Sequence, residues 1–89
     1  MSEIQLEITN KVGLHARPAS LFVQTANKFK STITVTNGDT TVNAKSILSI
    51  LTLGAEKGCT LTIRAEGEDA DAALQAFKEL HAGNFGEKE

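Results

Sequence analysis

The segment Gly13-Leu14-His15-Ala16-Arg17-Pro18 puts an imidazole where a glycine-bearing loop runs into a helical apolar pattern. A helix start carries unpaired N–H groups and the positive end of the helix dipole, so it attracts anions. Pro18 has no N–H, but the amides of Ala16 and Arg17 remain available to an oxyanion. Arg17 adds a permanent charge whose planar fork matches phosphate oxygens. His15 offers a nitrogen nucleophile that is neutral near pH 7, and a positive environment favours that neutral form. The chemistry these types allow together is capture of a phosphoryl group on nitrogen. His-x-Arg is nevertheless a short pattern. The same residues also fit a helix-capping or loop histidine beside a solvated arginine, and spacing alone leaves both readings open.

A second segment, Lys45-Ser46-Ile47-Leu48-Ser49-Ile50-Leu51-Thr52-Leu53-Gly54, has Ser46 at a natural N-cap position. It holds more large apolar residues than one helical stripe needs. At about 100° per residue, Ile47, Leu51 and Leu48 fall on one arc, and Leu53 and Ile50 on another. Either the whole helix is enclosed, or one arc faces the core while the other is at least partly exposed. Exposed apolar arcs of that kind mark interaction surfaces.

These segments must be positioned by the rest of the chain. Ile4, Leu6 and Ile8 alternate with polar residues and predict a half-buried strand. Residues 10–14 read as a loop. Ala19, Phe22, Val23 and Ala26 predict a helix with Pro18 in its first turn, where a missing N–H costs nothing. Ile33 and Val35 among threonines predict a second strand. Asn37-Gly38-Asp39 predicts a hairpin into a short third strand over 40–43. Leu61, Ile63 and Ala65 predict a fourth strand. Asp69 can cap a last helix with the stripe Ala70, Ala73, Leu74, Phe77 and Leu80, and Gly83 can end it. Residues 84–89 form a polar tail. The order β-α-β-β-α-β-α predicts an α+β open-faced sandwich, with helices on one face of a mainly antiparallel sheet.

The 89 residues suit one domain spanning 1–89. A chain of this size buries about 60–65% of its unfolded surface, so chemistry is expected near the surface. Formal net charge is −2, which argues against nucleic acid as the main partner. The lack of Trp and Tyr also disfavours stacking on RNA bases. Residues 1–60 hold six basic and four acidic side chains, whereas residues 61–89 hold three and seven. A locally basic surface fits docking to acidic proteins. The single cysteine, Cys59, allows no internal disulfide and suits a reducing compartment. It is read as an inert small side chain, and His81 as ordinary surface or edge packing. No metal cluster and no nucleotide-binding glycine loop is found, and no cofactor is expected. The opening Met1-Ser2-Glu3-Ile4 lacks a basic region followed by an apolar stretch, and no apolar run approaches about 20 residues. No signal peptide and no membrane insertion are therefore expected, and the expected location is the cytoplasm.

Gly13-Leu14-His15-Ala16-Arg17-Pro18-Ala19, together with Asn43-Ala44-Lys45-Ser46-Ile47-Leu48 and the continuation Thr52-Leu53-Gly54 and Lys57-Gly58, resembles the two signatures of the HPr family. These are the histidine-containing phosphocarriers of the bacterial phosphoenolpyruvate:sugar phosphotransferase system, and the resemblance covers almost the whole chain. It implies a four-stranded antiparallel sheet of order 1-4-2-3 with three helices on one face. It implies a monomeric carrier, not an enzyme, that takes phosphate from enzyme I onto Nδ1 of His15 and passes it to sugar-permease IIA domains. Arg17 and the backbone amide of Ala16 would stabilise the phosphate. Ser46 would be a regulatory site for an ATP-dependent HPr kinase/phosphorylase, where the cell has one, and so a link to a catabolite-control transcription factor. Ile47, Leu48 and Leu51 would form the partner-docking patch. Three alternatives stay open on the sequence: a nitrogen-branch paralogue, a Ser46-phosphorylated corepressor, and an α+β module binding RNA or a metabolite on its sheet. The presence of His15 favours a carrier over a pure regulator.

Overall fold

The computed structural model describes residues 2–9 and 16–83. The expected loop over 10–14, His15 and the polar tail lie outside the described residues. The elements are β1 (Ser2–Glu7), α1 (Ala16–Ala26), β2 (Thr32–Asn37), β3 (Thr40–Asn43), α2 (Ile47–Thr52), β4 (Thr60–Glu66) and α3 (Ala70–Ala82). The strands form one antiparallel sheet of order β1-β4-β2-β3. Both the element order and the strand order agree with expectation.

Register follows from the period-two pattern. Ile4 lies opposite Ile63, and Ile63 opposite Val35; Leu6 lies opposite Leu61, and Ile33 opposite Ala65. These side chains build one inner face, on which Leu6, Ile33, Val35, Leu61, Ile63 and Ala65 are buried. The alternate residues face out. Glu3 and Thr34 flank Arg64 in one cross-strand row, and the Arg64 Nε donates to Glu3 Oε1 at 2.8 Å. That pair is exposed and contributes little to stability.

The helices cover the inner face. Phe22 of α1 and Phe77 of α3 are fully buried, their ring centroids 4.6 Å apart in a tilted arrangement. Such a pair adds roughly 0.5–1.5 kcal/mol beyond the area it buries. The expected α3 stripe is buried at Ala70, Ala73, Leu74 and Phe77, while Leu80 at its end is partly buried against the core. Gly38 turns the two-residue connection between β2 and β3 with φ 61°, the left-handed conformation that the hairpin requires. Among the described residues, no helix is long and apolar enough to cross a membrane.

One expectation is corrected. Asp69 occupies the N-cap position of α3 but makes no side-chain capping bond. Its carboxylate turns instead to the stretch before β2. It accepts from the Lys30 N–H at 2.8 Å, from the Ser31 N–H at 2.9 Å and from the Ser31 hydroxyl. Three donors gathered at one carboxylate outcompete a single helix amide. Gly83 does end α3, yet with φ −86° it is not a left-handed cap.

The Ser31 hydroxyl, followed by the Lys30 amide, holds the Asp69 carboxyl below its ordinary value. The folded state therefore binds this proton less readily than the unfolded chain does. The stabilisation is fully present above the ordinary carboxyl value of about 4. It is lost as pH falls through the lowered folded value. Asp69→Asn should thus melt earlier than the parent at pH 7, and the gap in melting temperature should narrow below about pH 4. Gly67 is bound to the same knot. A Cβ there would lie 2.6 Å from Ser31 Oγ and 2.9 Å from Ser31 Cα, at φ 145°. Gly67→Ala should cost more than about 1 kcal/mol in urea unfolding, since both strain and the clash oppose it.

Candidate functional site

Arg17 sits in the first turn of α1 and is exposed. Its direction is set by the core. Pro18, Ala19, Phe22 and Ala26 are buried, and a residue five positions before Phe22 lies about 140° around the helix from it. Burial of the phenyl ring thus turns the guanidinium to solvent. The first turn of α1 carries no acidic side chain. The positive helix end and the Arg17 charge therefore add to one another without internal compensation. Ala16 opens the helix, and its amide belongs to the set with no intrahelical acceptor.

α2 packs against α1 and is held at both ends. At its entrance the Lys45 Nζ donates to the Phe29 carbonyl at 2.7 Å, and the Asn27 amide bonds the Lys45 carbonyl at 3.4 Å. Asn43 Oδ1 accepts from the Lys45 N–H at 2.9 Å. Ser46 is the N-cap, in extended geometry, and its hydroxyl accepts from the Ser49 N–H at 3.4 Å. At the exit the Asn37 side chain donates to the Leu53 carbonyl at 3.1 Å, and Gly54 turns away with φ 69°. Six residues are too few to hold a helix unaided, so these clasps and the core contacts define it.

Those contacts resolve the two arcs. Ile50 is 0% and Leu53 4% exposed, whereas Ile47, Leu48 and Leu51 are 39%, 73% and 43% exposed. The arc of Ile50 and Leu53 faces the core. The other presents three large aliphatic side chains to solvent beside α1. Ser46 is half-buried and immediately precedes them. The structure thus brings Arg17, Ser46, Ile47, Leu48 and Leu51 onto two neighbouring helices. His15 lies outside the described residues, directly before Ala16 in the chain. Asn27, Asn37 and Lys45 position this surface and were not singled out for it in the sequence. Asn37 reads there as a turn residue, and nothing local signals its bond to Leu53.

A family model described as the PTS HPr component phosphorylation site matches residues 2–82. This chain belongs to the HPr phosphocarrier family. Phosphocarrier protein HPr of Neisseria meningitidis serogroup A is 44% identical over 89 residues, all of both chains. HPr-like protein Crh of Halalkalibacterium halodurans is 46% identical over 77 residues, which is 86% of this chain and 92% of that one. Among solved structures, HPr-C-His from Thermoanaerobacter tengcongensis superposes with a TM-score of 0.95 at 49% identity, covering both chains entirely. HPr is a phosphocarrier of the phosphotransferase system, and its fold is the one described above.

The burial split predicts a corresponding split in stability. Ile50→Ala should lose about 2–5 kcal/mol, the range for emptying an enclosed aliphatic site. Leu48→Ala, one turn-face away, should stay within about 0.5 kcal/mol. Urea unfolding of the two variants measures both.

Proposed function

We propose that this chain accepts a phosphoryl group on His15 from phospho-enzyme I and donates it to sugar-permease IIA domains. A neutral ring nitrogen of His15, Nδ1 by family resemblance, attacks phosphorus. The N–P bond forms as the bond to the donor breaks, and the reverse exchange delivers the group to the acceptor. Arg17 and the amides of Ala16 and Arg17 balance the charge on the phosphoryl oxygens. The observation that carries this reading is the exposed triad Ile47, Leu48 and Leu51, on the helix packed against α1, whose first turn carries the exposed Arg17. An exposed apolar patch on one helix and a cation at the start of its neighbour suit brief docking of a protein that brings or removes a phosphate. A helix terminus contributes about 0.3–1 kcal/mol to holding a charge, which orients the group without trapping it.

The direct test is incubation with phosphoenolpyruvate and enzyme I, followed by mass analysis. One acid-labile phosphate should appear, and His15→Ala should abolish it. Arg17→Ala should slow transfer at least about tenfold, equivalent to ~1.4 kcal/mol of barrier, with little change in melting temperature. Phosphate uptake by His15→Ala would sink the acceptor assignment.

Ser46 is proposed as the regulatory site, modified by an ATP-dependent HPr kinase/phosphorylase. Its phosphate would add about −1.5 to −2 charges at a helix start that tolerates an anion. The modification should leave the fold intact and act on docking, because Ile47 and Leu48 adjoin it. Juxtaposed like charges at an interface cost several kcal/mol. Ser46→Asp should therefore melt like the parent but accept phosphate from enzyme I more slowly at low salt. The deficit should shrink at high salt, where partly exposed charges are screened. Equal rates at low salt would leave Ser46 as a helix cap alone.

A further inference from the structure

Lys45 stands immediately before the N-cap Ser46 and is half-buried. Its backbone N–H donates to Asn43 Oδ1 at 2.9 Å, and its carbonyl accepts from the Asn27 amide at 3.4 Å. Its ammonium donates to the Phe29 carbonyl at 2.7 Å. That carbonyl belongs to the peptide group joining Phe29 to Lys30. The N–H of the same group donates to Asp69 Oδ2 at 2.8 Å. The peptide is trans, so its N–H and C=O point in opposite directions. One amide is thus gripped by a carboxylate on one side and by an ammonium on the other. The positive end of its dipole meets the anion, and the negative end meets the cation. Each bond is charge-assisted, and each polarises the amide in the sense that strengthens the other.

Lys45 and Asp69 make no direct ion pair; the Phe29–Lys30 peptide lies between them. Lys45 is at the entrance of α2 and Asp69 at the N-cap position of α3. The bridge therefore ties the start of one helix to the start of the other through the turn that follows α1. The other two bonds of Asp69, from the Ser31 N–H and hydroxyl, fasten the carboxylate and take no part in the bridge. α2 has six residues, too few to define its own place. We propose that Lys45 and Asp69 are a positioning pair for partner docking: through the Phe29–Lys30 peptide they fix the entrance of α2, and with it the exposed arc of Ile47, Leu48 and Leu51. The inference rests on that arc being the docking patch. Lys45 then acts through the bridge and not as a surface cation that meets the partner. Asp69, which belongs to a different helix, shares in docking without touching the docked protein.

The test uses the full chain with enzyme I and phosphoenolpyruvate, as the wild type, Lys45→Met, Asp69→Asn, the double variant and Ser31→Ala. Methionine keeps an unbranched stem without a donor, and asparagine keeps an acceptor without the charge. Ser31→Ala removes a bond to Asp69 but leaves the bridge. The KM of enzyme I for the carrier should rise about three- to tenfold in each bridge variant, within the range for coupled neighbours. The value of kcat should not change. The double variant should be no weaker than the weaker single one. Ser31→Ala should melt earlier yet keep the wild-type KM. With no partner present, the Lys30 amide proton should move upfield in Lys45→Met as the amide loses polarisation, although Lys45 does not touch that hydrogen. An unmoved Lys30 resonance would overturn the bridge. Single effects that multiply in the double variant would also overturn it, since Lys45 would then contact the partner directly. An equal rise of KM in Ser31→Ala would reduce the pair to general support of the fold. Should Asp69→Asn not fold, the comparison of Lys45→Met with Ser31→Ala and the Lys30 resonance decide the matter. Leu48→Asp is the docking control: a wild-type KM there is a separate result, and it would remove the docking-patch reading itself.

Discussion

Phe22 and Phe77 meet inside a single buried layer that also holds Val35, Leu61 and Ile63. Because the sheet has one apolar face, every helix must find its place over that layer. The two rings pack α1 against α3, and beside α1 the layer is completed by Ile50 of α2 and by Leu53, which caps that helix. The outward direction of Arg17 and of the Ile47–Leu48–Leu51 arc follows from this packing. Neither needs a dedicated support of its own, apart from the clasps at the ends of α2.

Much of this was legible in the chain. The alternation Leu61, Ile63, Ala65 fixes which side of β4 is inside, and Gly38 has a conformation that marks the hairpin wherever it occurs. The stripe of α3 gives its buried face directly. The two arcs of α2 were also visible, but periodicity could not say which one is buried; that depends on α1 and the hairpin, which lie elsewhere in the sequence. Asp69 shows the limit of local rules. Its type and position specify a helix cap, yet Lys30 and Ser31, far away in sequence, bring three donors to the same carboxylate. The bond from His81 to Glu7 is likewise a product of tertiary placement, since neither residue carries a local sign of the other.

For the candidate site, residue types revealed more than spacing did. A histidine and an arginine around a helix start specify phosphate chemistry only as one of two readings. The second signature around Ser46 and the family match support the phosphate reading proposed above, because they require two segments to be right at once. The supporting residues Asn27, Asn37 and Lys45 stayed hidden, as each acts through a backbone carbonyl that sequence does not distinguish from any other.

The separation of the two arcs of α2 has an evolutionary consequence. Stability is concentrated in Ile50 and Leu53, and surface chemistry in Ile47, Leu48 and Leu51. Substitutions on the outer arc are nearly neutral for folding, so selection can act on them for their effect on recognition alone. If these three positions dock partners, as proposed, a lineage can acquire or lose partners by drifting through them without first acquiring compensating changes in its interior. A small domain with little stability to spare can in this way diversify its contacts while its architecture stays fixed.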